Sequence, residues 1–209
     1  MAIALPLAVN DNLIGTAFIA GTQGNRLAFV TALHHLAAGT NFKVALPPHG
    51  GDMAQAQPYP LLQTPAFNLD VILTEPLLDL AILLTPVLDQ KQPPAIPRFI
   101  TEPREIKVGD EVIIAGYPFA PIGSMLETAQ VTHVSAIGQR LVIGGGSRLE
   151  LILSAQTHPG SSGSPVVRRS DGVLCGVIRG CLAPPSTIAI GNLPIGTDTS
   201  VTYATSADT

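Results

Sequence analysis

An all-β fold, a barrel or sandwich of about twelve short strands, is what this sequence predicts, and three observations carry the prediction. Short apolar runs recur along the whole chain, each bounded by turn residues. Glycine (20) and proline (19) are abundant in the 209 residues, together almost a fifth of the chain against roughly 12% in average usage. No segment keeps a helical apolar period for more than a turn or two.

In chain order, Leu13–Ala20 and Arg26–Thr31 flank the turn cluster Gly21–Asn25. Phe42–Leu46 ends at the Pro/Gly stretch Pro47–Gly51. Asp70–Leu73 and Leu80–Leu84 are apolar runs separated by Pro76, which cannot donate to a strand ladder. Glu111–Ala115, Met125–Val134 and Arg140–Ile143 follow, and Gly144–Ser147 reads as a hairpin turn before Arg148–Ser154. Ser164–Arg168 and Val173–Arg179 are joined by the turn Ser170–Gly172, and Ser200–Ala204 closes the series. The segment Gln90–Arg104 holds four prolines and reads as a linker that divides the runs into two halves. The expected division is therefore residues 1–92, a linker at 93–104, and residues 105–209.

Composition excludes several classes. Apolar residues make up 46% and charged residues 12%, enough to bury a core, so wholesale disorder is excluded. Eleven Lys and Arg against fifteen Asp and Glu give a net charge of −4, which argues against a nucleic-acid binder. The most apolar stretch, Val71 to Leu88, is broken by Glu75, Pro76, Asp79 and Pro86, so no spanning helix is read. Met1 to Asn10 has no basic start and no signal peptide is read there. The compartment is left open, with the cytoplasm favoured. Cys175 and Cys181 make no disulfide framework; on one extended strand they would lie about 20 Å apart, beyond bridging range. His34 and His35 are adjacent and no metal-ligand spacing occurs, so neither metal nor other cofactor is expected.

Three segments carry chemistry. His158-Pro-Gly-Ser-Ser-Gly-Ser-Pro165 places Ser162 in a glycine-bounded loop just before a strand. Such a loop can expose a nucleophile, and the N–H groups of Gly160 and Ser162 can converge on a developing oxyanion; it can also be an ordinary Gly/Ser turn. Phe29-Val-Thr-Ala-Leu-His-His-Leu36 runs a strand into a turn bearing His34, a general base by its titration range, with His35 competing for the role. Leu78-Asp-Leu-Ala-Ile-Leu83 places Asp79 at the head of an apolar strand, where a histidine would satisfy its charge. Asp70 has a similar setting and is the second candidate.

Together these motifs resemble the trypsin-like, chymotrypsin-fold serine peptidases, in the order His34, Asp79, Ser162. The resemblance is closest to the bacterial HtrA/Deg-like branch. Val108-Gly-Asp-Glu-Val-Ile-Ile-Ala-Gly-Tyr-Pro118 and the stretch Ala155 to Ile178 carry it further, and it is weakest at 42–68 and 181–199. It implies two six-stranded antiparallel β-barrels with the active site in the cleft between them. Residue by residue it implies Ser162 as nucleophile, His34 as general base and then acid, Asp79 as orienting carboxylate, and Gly160 with Ser162 as oxyanion hole. It implies a primary pocket walled by Gln156, Thr157, His158 and Pro159, with Ile178, Arg179, Gly180 and Cys181 opposite, where a peptide substrate would add as an extra strand.

The sequence departs from the digestive relatives at Ser161, which stands where they carry an acid for a new N-terminal ammonium, so no zymogen cleavage is expected. HtrA proteins usually carry a further C-terminal domain, and this chain is expected to be one piece of a longer protein. No acid lies in the wall before Ser162, which disfavours cleavage after Lys or Arg. Small or apolar side chains are expected there, with acidic ones second, for which Arg179 either supplies charge or points to solvent. The functional expectation is a serine endopeptidase acting on protein or peptide through an acyl-enzyme, with no nucleic-acid or membrane partner. The alternative is a catalytically silent module of the same fold that binds proteins.

Overall fold

The computed structural model describes residues 4–46, 66–86, 98–99, 105–123, 125–141, 145–181, 189–190, 193–194 and 201–207. Twelve antiparallel strands in this set close two six-stranded barrels. The first comprises β1 (Ala4–Val9), β2 (Asn12–Gln23), β3 (Arg26–Ala32), β4 (Phe42–Ala45), β5 (Ala66–Glu75) and β6 (Leu80–Leu84). They pair in the order β1-β2-β3-β6-β5-β4, and β1 against β4 seals the seam. The second comprises β7 (Glu111–Gly116), β8 (Thr128–Leu141), β9 (Ser147–Leu153), β10 (Pro165–Arg168), β11 (Leu174–Cys181) and a last strand. A two-residue hairpin pair, β12 (Ala189–Ile190) and β13 (Leu193–Pro194), intervenes before that strand, β14 (Thr202–Ser206). The second barrel runs β10-β11-β14-β9-β8-β7.

The expected number of barrel strands is right through two offsetting differences. β1 is a strand the apolar-run reading passes over, and β8 is one 14-residue strand where two runs were expected, at 125–134 and 140–143. β1 is buried along its whole length. Leu5, Leu7 and Val9 point into the first barrel's core with Phe29, Val44 and Leu83. Ala4 and Ala8 face the opposite way, into a cluster with Phe18, Tyr117, Met125 and Val177 that joins the barrels. A strand buried on both faces has no apolar–polar alternation to announce it. Pro6 is tolerated because it pairs only with Thr16 of β2; pairing with β4 begins at Leu7. The turn after β1 is the two-residue Asn10-Asp11, both with positive φ, the geometry that matches hairpin twist.

The second barrel has its own core of Ile106, Val112, Val134, Leu151, Leu153, Val166 and Ile178. Cys175 and Cys181 are unbridged and share β11. The expected linker at 93–104 lies outside the described residues except for Arg98 and Phe99, which meet Leu174 through its N–H to the Arg98 carbonyl (2.7 Å) and a parallel bridge from Phe99.

Candidate active site

His34 stands where β3 gives way to a short 3-10 helix, Leu33–Ala38. Asp79 closes the turn before β6 in a left-handed conformation, φ +56°, uncommon for a residue with a side chain though Asp tolerates it better than most. The Leu33 N–H donates to the Asp79 carbonyl at 2.9 Å, tying the two turns together. The Asp79 carboxylate then takes the His34 backbone N–H on Oδ1 and the His34 ring Nδ1 on Oδ2, both at 2.9 Å. Burial alone would raise the Asp79 carboxyl. Its hydrogen bonds and charge interaction with His34, joined by the charge of Arg179, outweigh this and hold it below its ordinary value.

The competing candidates are placed elsewhere. Asp70 is largely exposed and pairs with Arg26 at 2.8 Å. His35 is buried, with Nδ1 2.9 Å from the Thr31 hydroxyl. That hydroxyl gives its proton to the Thr16 carbonyl (2.7 Å), so Nδ1 of His35 is the donor to Thr31. Burial, followed by repulsion from His34, pushes the His35 imidazole down to about 3.

The serine loop is two linked turns. Ser161 N–H donates to the His158 carbonyl (2.9 Å) and Ser164 N–H to the Ser161 carbonyl (3.0 Å). Each turn needs one residue of positive φ, supplied by Gly160 (+103°) and Gly163 (+83°). At Gly163 a Cβ would also fall 2.0 Å from the Thr16 carbonyl oxygen. Thr16, on β2 of the other barrel, clamps this loop. Its N–H donates to the Ser162 carbonyl at 3.0 Å. Its hydroxyl donates to the Gly160 carbonyl and accepts the Tyr117 N–H, each at 2.9 Å. Among the described residues the N–H groups of Gly160 and Ser162 donate to nothing else. The Ser162 hydroxyl donates to the Arg179 carbonyl at 3.0 Å, and forms no hydrogen bond with His34.

Arg179 is turned away from the expected pocket wall. Its Nε donates to Asp79 Oδ2 and its Nη1 to Glu150 Oε1, both at 3.1 Å. Arg148 donates from Nε to the same Glu150 oxygen (2.9 Å) and from Nη1 to the Leu77 carbonyl (2.8 Å). Thr205 donates to the Leu78 carbonyl (2.8 Å), so the second barrel grips the whole Asp79 turn. Ile178 is also committed. Its side chain lies in the core, and its N–H and carbonyl are both taken by the serine loop, at Ser164 O and Gly163 N. Of the expected pairing edge this leaves Gly180 and Cys181, which pair with β14 on one side, past the end of the β10 register. Gln156, Thr157 and His158 line a cavity of about 320 Å³ closed by Pro118, Phe119, Thr128 and Gln130, with His158 stacked on Phe119. Pro159 is exposed at the loop's tip.

Thr16, Arg148 and Glu150 escaped the sequence reading. None sits in a motif, and their contacts span long separations in the chain. The one available signal was an Arg and a Glu two apart on an otherwise apolar strand, hence on one face.

A family model described as a trypsin-like peptidase domain matches residues 15–177. No curated protein gives a significant match. Among solved structures, the chain is similar to the Rv3671c protease of M. tuberculosis in its inactive form, with 20% identity, TM-score 0.65, and coverage of 98% of this chain and 83% of that one. The MamO protease domain from Magnetospirillum magneticum is similar at 20% identity and TM-score 0.61, covering 97% and 89%. The HtrA-type protease AlgW with a tripeptide matches at 21% identity and TM-score 0.64, covering 97% of this chain and 56% of that one. At these identities the likeness is one of fold.

Proposed function

The chain belongs to the trypsin-like peptidase domain family and is a trypsin-like serine protease; from that premise we propose that it is an endopeptidase in which Ser162 attacks the scissile carbonyl. His34 takes the Ser162 proton and returns it to the leaving amine. Asp79 fixes the imidazole with hydrogen on Nδ1 and stabilises the imidazolium. The free N–H groups of Gly160 and Ser162 receive the oxyanion, and water then hydrolyses the acyl-enzyme. The observations that support this reading are the pair of 2.9 Å hydrogen bonds from His34 to one carboxylate and a serine loop whose two N–H donors are unspent among the described residues.

Reaction requires the Ser162 hydroxyl to leave the Arg179 carbonyl and turn toward His34. A peptide pairing along Gly180–Cys181 would bring an N–H to compete for that carbonyl. The same parked hydroxyl is what a silent binding module would also display. Digestion of an unfolded protein separates the two. Wild type should cleave it, Ser162→Ala should lose at least ~10³-fold, and a peptidyl phosphonate should leave a covalent adduct on Ser162 by mass spectrometry. An intact substrate and an unmodified Ser162 would establish the silent module instead.

A further inference from the structure

His34 also lines a cavity of about 520 Å³ that no residue of the serine loop lines. Its lining includes Asp79, Arg140, Arg148, Arg179 and Tyr203. Three of the eight arginines of a net-acidic chain therefore meet at one hollow.

Their charges are unequally compensated. Arg148 and Arg179 are nearly buried (7% and 13% exposed) and share the Oε1 oxygen of Glu150, which is itself 6% exposed. Arg179 also holds Asp79. Among the described residues the one carboxylate oxygen Arg140 reaches is Glu150 Oε2, at 3.5 Å, and it remains 50% exposed. Three guanidiniums thus stand against two carboxylates, and one of those carboxylates, Asp79, is already engaged by His34. The residual positive charge is presented at the rim by Arg140. Its guanidinium lies over the Tyr203 ring, 5.4 Å from the centroid, and Arg179 lies against the same ring at 5.5 Å. The aromatic face orients the Arg140 fork.

Holding the Asp79 turn accounts for Arg148 and Arg179, but fold stability gives no reason for Arg140. Arg140 and Arg148 are direct cross-strand partners on β8 and β9, and like charges placed opposite one another are destabilising. A guanidinium held in place, partly open and short of a full partner is a receptor for a carboxylate.

Resting on the peptidase reading of the site, we propose that this cavity is a specificity subsite for an acidic substrate side chain on the N-terminal side of the scissile bond, with Arg140 as its recognising residue. Gly180 pairs with Tyr203, which lines the cavity beside Arg179, so a peptide paired with β11 at Gly180–Cys181 would run past it. The Asp or Glu side chain would complete the coordination that Glu150 leaves unfilled.

The test uses short peptides differing only by Glu or Gln at each of the three positions before the residue that supplies the scissile carbonyl. Calorimetric binding to Ser162→Ala should favour Glu about tenfold at one of these positions. The preference should shrink with salt, vanish in Ser162→Ala/Arg140→Gln, and be partly kept in Ser162→Ala/Arg140→Lys. Equal binding of Glu and Gln peptides, absence of binding by any Glu peptide, or a Glu preference that survives Arg140→Gln overturns the proposal. Cleavage of the Gln peptides by wild type tests the peptidase reading separately. Cleavage without Glu selectivity overturns the subsite alone, whereas Glu-selective binding without cleavage supports the subsite and overturns the endopeptidase.

Discussion

At Thr16 one amide and one hydroxyl hold two consecutive turns of the serine loop: the carbonyls of Ser162 and Gly160 accept from it and the Tyr117 amide donates to it. The hydroxyl's two hydrogen bonds are buried, so removing it strands a carbonyl and an amide away from water, at about 1–3 kcal/mol for each group. Thr16→Val, which keeps shape and loses only the hydrogen bonds, should lower kcat/KM on a peptide substrate by roughly 10- to 100-fold, mainly through kcat. Thr16→Ser should retain most of the rate. His35 makes a second residue-scale prediction. Its imidazole, pushed down to about 3 in the folded chain, returns to about 6.5 when unfolded. The unfolded state therefore binds more protons between those values. Stability is full above pH 6.5 and falls as pH drops toward 3, by up to ~1.4 kcal/mol per unit. Urea unfolding of wild type across pH 7 to 4 should show this slope, and His35→Gln should flatten it.

The strands show which features a linear sequence can announce. His34, Asp79 and Ser162 are legible because each needs a local setting, a turn or a strand head, that leaves its own residue pattern. Most half-buried strands are legible for the same reason. β1 is not, because its six residues are all buried and alternate between two different cores, so apolar character is continuous and Pro6 reads as a break. β8 reads as two pieces because most of its side chains face solvent, and Ser135 and Gly138 interrupt the apolar pattern without ending the ladder. Arg179 is placed by sequence on its strand, but its contacts with Asp79 and Glu150 are not announced there. The register of β11 against β14 shifts between Ile178 and Gly180, and an irregularity of one residue redirects a side chain. Nothing in the neighbouring letters encodes that redirection.

At the scale of the molecule, each barrel holds a part of the other's chemistry. Thr16 of the first fixes the serine loop of the second. Arg148, Arg179 and Thr205 of the second fix the Asp79 turn of the first. Beneath them lies the shared cluster of Ala4, Ala8, Phe18, Tyr117, Val167, Leu174 and Val177. Neither barrel can open without exposing apolar surface and buried polar groups that the other covers. Thermal unfolding should therefore be a single transition with equal calorimetric and van't Hoff enthalpies; two resolved steps would show the barrels to be independent.

The bond from the Ser162 hydroxyl to the Arg179 carbonyl sets the order of events. At rest the proton that the proposed mechanism passes to His34 points at a strand edge instead, so on that mechanism the nucleophile is latent. A passing amide would find it disarmed, whereas an extended chain laid along that edge would displace the hydroxyl by the act of docking. On the proposed mechanism recognition of backbone shape would come before reactivity, and a folded protein that cannot offer an extended segment would be spared without any separate inhibitor.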